Sequence, residues 1–250
     1  MWLNIDLGER ADEDPQLFSY AHIANIACGG HAGDAASMRA SLQRCLAAGT
    51  AVSAHPSYVD RAHFGRRPLA VPSAVLRDQL AEQLRGLVAQ ATAVGLAVRI
   101  IKPHGALYHA AQARSDIAEV LIDAAYGALG SSVAFIGPGD GAMRAQTQAR
   151  GGAYLVEGFA DRGRRRRPQG GWELIPRGEP GAVLADAAAV VAQAEELRAE
   201  GGIDTLCLHG DHPRATECAR RLRARLDALG VGRWPGSVIA AASPGHRRAT

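Results

Sequence analysis

Seven short runs of aliphatic and β-branched residues alternate with longer segments whose apolar residues recur at three and four, and this alternation constrains the fold more than any other feature. The runs fall at Trp2–Leu7, His22–Ala27, Thr50–Ala54, Ala97–Ile101, Ser132–Ile136, Ala153–Val156 and Asp204–Leu208. The helical segments fall at Ala35–Ala48, Ser73–Val94, Ser115–Leu129, Ala142–Ala149 and Ala182–Glu200, with Ser73 and Ser115 as N-caps and Gly49, Gly95, Gly130 and Gly201 as stops. Strand–helix–strand order with right-handed crossovers predicts a parallel sheet.

The residues just beyond each strand decide between an open and a closed sheet. Asp6-Leu7-Gly8-Glu9 ends the first run, Asn25 to Asp34 the second, His55-Pro56-Ser57 the third and Lys102-Pro103-His104-Gly105 the fourth. Gly137 to Gly141, Glu157 to Arg162 and His209-Gly210-Asp211 complete the series. An open sheet concentrates its site at one switch point, whereas a barrel gathers residues from all its strands on one rim. Seven furnished strand ends predict a (β/α)7 barrel, an α/β fold in a single domain over residues 1–250. The insertion at 158–181 is long enough to act as a lid, and a flexible tail is expected at 240–250.

Composition excludes several partner classes. The net charge is only +3 and aromatics make up 5%, which argues against a nucleic-acid surface. No run is long and apolar enough for a membrane span. Cys28, Cys45, Cys207 and Cys218 show no C-x-x-C pair and no zinc-finger spacing, which predicts a reducing, cytoplasmic setting.

Lys102 is the only lysine among 28 basic side chains, the rest being arginine. A retained ammonium at a strand end points to a site that needs a compact, rotatable cation rather than a planar fork. His55, His104 and His209 follow strands at equivalent positions, so a barrel brings them into one pocket with Asp6. The glycine-dense loop from Cys28 to Asp34 lets backbone approach a ligand beside Asn25 and His31. Asp161 and Arg162 open the longer insertion, and Arg164 to Arg167 read as solvated surface or a partner contact. Gly137 to Gly141 lacks the P-loop ending and reads as a turn; there is no G-x-S-x-G elbow. No histidine pair has H-E-x-x-H spacing, so no metal site is assigned; Asp6 with His31, His55 or His104 is the ligand set of an alternative metal-dependent hydrolase.

With these residues laid out, the chain resembles the LamB/YcsF family, the A subunits of ATP-hydrolysing 5-oxoprolinase. The matching motifs run in family order: Leu3 to Glu9, Asn25 to Gly29, His31 to Asp34, Ala54 to Ser57, Asp60-Arg61, Phe64 to Arg66, Lys102 to Tyr108, Glu157 to Gly163, Ile175 to Arg177 and Cys207 to Asp211. Gly30 and Arg164 depart from the pattern, each standing where the family has an aromatic. The resemblance implies a barrel of the glycoside hydrolase/deacetylase type and a reaction in which 5-oxo-L-proline, water and ATP give L-glutamate, ADP and phosphate. It implies ATP as co-substrate, with Mg, and separate B and C subunits as partners. Side-chain chemistry then makes Asp6, Lys102 and His104 the catalytic candidates, with Asn25, His31, His55, Glu157, Asp161, Arg162 and His209 contacting substrate. The alternatives are a metal-dependent amide hydrolase or deacetylase and a non-catalytic scaffold subunit.

Overall fold

The structure, a computed structural model, describes residues 1–169 and 171–234. Parallel strands β1 (Trp2–Leu7), β2 (Ile23–Ala27), β3 (Ala51–His55), β4 (Val98–Ile101), β5 (Ala134–Gly137) and β6 (Ala153–Phe159) stand side by side in chain order. An antiparallel pair, β7 (Arg164–Arg166) and β8 (Trp172–Leu174), lies outside them. The last strand, β9 (Thr205–His209), pairs with both β6 and β1 and closes a seven-stranded barrel. Around it run α1 (Leu17–Tyr20), α2 (Ala35–Ala48), α3 (Ser73–Ala93), α4 (Gly105–Ala113), α5 (Ser115–Leu129), α6 (Ala142–Ala149), α7 (Ala187–Glu200) and α8 (Ala215–Ala228).

Strand periodicity explains how such apolar runs build a polar centre. In β1, Leu3, Ile5 and Leu7 join the core beneath the helices with Leu42, Leu80, Leu84 and Leu222, and the alternate residues Asn4 and Asp6 take the interior. The interior is layered. Ile23, Ala51, Ile100 and Ile136 form a dry plug, with Trp2 and Leu155 packed against it. Nearer the C-terminal ends of the strands, the buried residues are Asn4, Asn25, Ser53, Thr205, Glu157, Lys102 and Asp6. Most of their polar atoms are paired with one another or with backbone, while Asn25 Oδ1 and Glu157 Oε1 have no hydrogen-bond partner.

Side-chain caps mark the starts of α2 and α7. Asp34 and Ser37 form a reciprocal capping box on α2, and Gly49 ends that helix at φ 67°. Two expected caps are corrected: Ser73 and Ser115 are the first helical residues, preceded by Pro72 and Arg114, whose extended backbones set the helix entry. The segment expected as one helix from Ala182 begins instead at Ala187, where the Asp186 side chain accepts from the Ala188 and Ala189 amides. The sixth strand extends beyond Val156 to Phe159, so Glu157 lies inside the barrel wall rather than in a loop. The 158–181 insertion is not structureless, because it holds the β7–β8 pair. The expected tail at 240–250 lies outside the described residues.

Candidate active site at the barrel mouth

The parallel register places Asp6 of β1 level with Asn25 of β2 and His209 of β9, while His55 ends β3 and Lys102 follows β4. The lone lysine threads inward. Its Nζ lies 2.9 Å from Asp6 Oδ1, 3.2 Å from Asn4 Oδ1, 2.9 Å from Cys207 Sγ and 3.3 Å from Glu157 Oε2. Burial alone would push the ammonium's pKa down, but the Asp6 and Glu157 carboxylates outweigh it and hold Lys102 well above its ordinary range. Burial likewise pushes the Cys207 thiol far up, so Cys207 stays neutral beside the charge. Asp6 is driven the other way: burial opposes its ionisation, yet His55, Lys102 and His209 hold it well below the usual carboxylate range.

A second cluster adjoins Asp6. His55 Nε2 is 3.4 Å from Asp6 Oδ2 and 3.0 Å from His104 Nδ1, and the His104 ring stacks on His31 at 3.7 Å between centroids. Glu9, in the loop after β1, reaches His31 Nε2 at 2.9 Å and His104 Nδ1 at 3.4 Å. Burial lowers the pKa of His31, and burial with the neighbouring His31 and His55 rings holds His104 well below the imidazole range. On the opposite side His209 Nδ1 meets both Asp161 oxygens, at 3.0 and 3.1 Å. Burial opposes the charge on each partner, but their attraction prevails, raising His209 and lowering Asp161.

Two backbone features fix the cluster. Phe64 adopts φ 55°, unusual for a residue with a side chain, and its carbonyl accepts from His104 Nε2 at 2.9 Å. Gly105, at φ 55°, starts α4 so close to the 60s loop that a Cβ would sit 2.6 Å from the Gly65 carbonyl oxygen. The Gly30 departure also has a local reason: a Cβ there would overlap Ser57 Oγ and Gln83 Oε1, and the Gln83 side chain fills that space, bonded to Ser57.

These residues stand beneath a cavity of about 450 Å³, a size suited to a small molecule. Asp6, His55, Lys102, His104, Arg162 and His209 line it, as expected. Asn25, His31 and Glu157 lie behind that lining, and Asp161 borders a smaller adjoining pocket that shares Arg162, Arg177 and His209 with it. Asn25 donates to Asn4 and Asp6, His31 backs His104, Glu157 faces Lys102 and Asp161 orients His209. Their positions are deeper by a layer or turned behind a ring, so they brace the lining. The upper wall brings residues without an assigned role from sequence: Arg66, Tyr108, His109, Phe159 and Arg177. Arg162 donates through Nε to the Ala182 carbonyl and through Nη2 to the Ile175 carbonyl, which ties the insertion to the mouth. Glu9 has no assigned role from sequence either, although a carboxylate three residues beyond Asp6 at a strand end is a usable signal.

Comparison with known proteins agrees with this architecture. The LamB/YcsF family profile matches residues 1–239. A protein from Nocardia farcinica, named as the A subunit of 5-oxoprolinase, is 40% identical over 246 residues, covering 92% of this chain and 96% of the relative. Its namesake from Methylococcus capsulatus is 41% identical, covering 92% and 93%. The crystal structure of a lactam utilization protein from Thermus thermophilus superposes with a TM-score of 0.82 at 29% identity, over 92% of this chain and 97% of that one. A family 4 carbohydrate esterase from Streptomyces lividans shares the fold alone, with a TM-score of 0.50 at 11% identity over 96% of each chain.

Proposed function

The chain belongs to the LamB/YcsF family, and from that membership and the geometry of the mouth we propose that it is the A-type subunit of an ATP-dependent 5-oxoprolinase. In the proposed reaction, 5-oxo-L-proline, water and ATP yield L-glutamate, ADP and phosphate. The observation that carries this reading is the pairing, in one small cavity, of an ionised carboxylate and the imidazoles of His55, His104 and His209 on the floor with Arg66, Arg162 and Arg177 on the wall. That combination suits a small anionic substrate whose carbonyl must be attacked by water.

A lactam is a resonance-stabilised amide, so its carbonyl needs activation before water can open it. ATP would supply this by phosphorylating the lactam oxygen; one water then adds at the carbonyl carbon and the ring nitrogen departs as the amine, and a second water releases phosphate from the acyl phosphate that remains. Asp6 presents Oδ2 toward His55 while Oδ1 is held by Lys102 and Asn25, leaving a fixed base to direct water at the carbonyl carbon. His209 lines the cavity with Nδ1 held by Asp161, which raises its pKa, so it can hand a proton to the departing ring nitrogen. Arg162 keeps further N–H donors beyond its two carbonyl bonds for the substrate carboxylate. The Lys102 ammonium has its three protons directed at Asn4, Asp6 and Cys207, so its proposed work is to position Asp6 rather than to meet an oxyanion directly.

No P-loop accompanies these residues in the sequence, so we place the phosphorylation step, with its Mg-bound ATP, at a site shared with or held by B and C partner subunits in the cytoplasm. The β7–β8 insertion is the proposed lid and the proposed contact. Reconstitution tests the reading: the chain alone should release little glutamate, and the chain with both partners should release glutamate and ADP in equal amounts. Glutamate release by the chain alone at the rate of the complex, or none from the complex, would refute it.

A further inference from the structure

Three buried imidazoles in this chain have their protons already committed, and the free nitrogens all face one carboxylate oxygen. His55 Nδ1 lies 2.7 Å from the Lys102 carbonyl oxygen, and His104 Nε2 lies 2.9 Å from that of Phe64. A carbonyl only accepts, so each of those nitrogens carries the hydrogen. His31 Nδ1 is 3.0 Å from Ser57 Oγ, whose own proton goes to the Tyr58 carbonyl at 2.9 Å, so His31 Nδ1 donates as well. The tautomers are thereby set, and His31 Nε2, His55 Nε2 and His104 Nδ1 are left with lone pairs.

Those three nitrogens and Glu9 Oε1 lie within 4.8 Å of one another. His55 Nε2 is 3.0 Å from His104 Nδ1, and Glu9 Oε1 is 2.9 Å from His31 Nε2, 3.4 Å from His104 Nδ1 and 3.7 Å from His55 Nε2. Four acceptors this close repel unless a cation stands among them. A proton on Glu9 would bridge only one of the contacts, and further bridging protons would charge imidazoles that are stacked or edge-on to each other in a buried site. A single divalent ion relieves all four at once. Ligand bonds of about 2.0 Å in a tetrahedron place ligand atoms about 3.3 Å apart, and the four separations above scatter around that value.

We propose that Glu9, His31, His55 and His104 form a binding site for a divalent transition-metal ion of the zinc type. Three imidazoles and one carboxylate are a borderline-soft nitrogen-rich set that suits zinc and disfavours magnesium or calcium. The carbonyls of Lys102 and Phe64 and the Ser57 hydroxyl supply the outer bonds that orient ligating imidazoles. The neighbouring group of Asp6, Cys207 and His209 is not a second site, because the Lys102 ammonium already lies 2.9 Å from both Asp6 Oδ1 and Cys207 Sγ. Four protein ligands would close the tetrahedron, so a bound ion would hold the three histidines in place at the cavity wall rather than take a substrate oxygen.

Metal content tests the site independently of lactam turnover, so it stands or falls apart from the proposed reaction. The purified chain is stripped with chelator, reloaded with Zn2+, desalted and measured by elemental analysis and thermal unfolding. The expected result is about one ion per chain with a raised unfolding temperature. Glu9→Gln, a near-isosteric change, and His104→Gln should each cut retained zinc at least tenfold, while His209→Asn retains it. A wild-type chain that holds no zinc and shows no thermal shift would overturn the site, as would Glu9→Gln and His104→Gln chains that hold zinc like the wild type.

Discussion

At the barrel mouth Lys102 meets Asp6 and Glu157 with every one of the three side chains no more than 3% exposed, whereas on the β7–β8 insertion Arg165 meets Glu173 and Glu179 with half of its side chain in water. The pairs are chemically alike. Their consequences differ because water stands ready to replace a lost partner on the insertion and is excluded from the barrel. Position in the layers of the barrel, rather than the number of ion pairs, therefore decides which charges matter.

Breaking the inner network should give the largest effect. Lys102→Ala leaves Asp6 and Glu157 buried without their cation, and the loss of one partner from such a group costs about 3–5 kcal/mol; the urea unfolding midpoint should fall accordingly. Lys102→Arg should also fail, because the planar fork must fit where a compact ammonium reaches Asn4, Asp6 and Cys207. An unchanged midpoint in the alanine variant would erase the contrast with the surface.

Next in size is a change to the lining itself. In the reconstituted complex, His209→Gln should lower turnover roughly a hundredfold, the lower end for losing a proton-transfer group, checked by glutamate release. Smaller still is the effect of Asp161→Asn on pH dependence. Asp161 has a depressed pKa, so its contribution is present above the ordinary carboxylate pKa and lost as pH falls through the folded value. His209 has a raised pKa, so its contribution is full below the ordinary imidazole pKa and lost as pH rises through the folded value. The stability difference between wild type and Asp161→Asn should therefore be greatest between about pH 4 and pH 6.5, as read from unfolding at a series of pH values. Arg165→Ala, at the other end of the scale, should leave the thermal midpoint unmoved.

The barrel was legible because burial on two faces writes each strand as a compact apolar run, and Gly or polar residues mark where each one stops. The helices that escape a sequence reading follow from the same logic in reverse. The α8 sequence is so rich in arginine that its stripe of Cys218, Ala219, Leu222 and Leu226 is hard to pick out, and α4 begins within the Lys102 to Gly105 motif, which reads as a loop. The β7 strand is three arginines, with no apolar alternation; Arg164 and Arg166 instead lie over the Trp172 ring. At the site, strand-end spacing points to Asp6, His55, Lys102 and His209. Depth is invisible to it, since whether Asn25 or Glu157 faces the cavity or braces its floor depends on register. Glu9 gains its meaning only from a turn that carries it under three histidines.

If the lactam is opened at the buried mouth with Asp6 as the base, turnover requires the charge on Asp6. Asp6→Asn keeps the shape of the side chain and removes its charge, and Glu157 remains to face Lys102. The direct measurement is glutamate release from 5-oxo-L-proline and ATP by the complex reconstituted with this variant, alongside its thermal unfolding. A loss of about a hundredfold or more is expected in a chain that still unfolds cooperatively; turnover near that of the wild type would rule out Asp6 as the base.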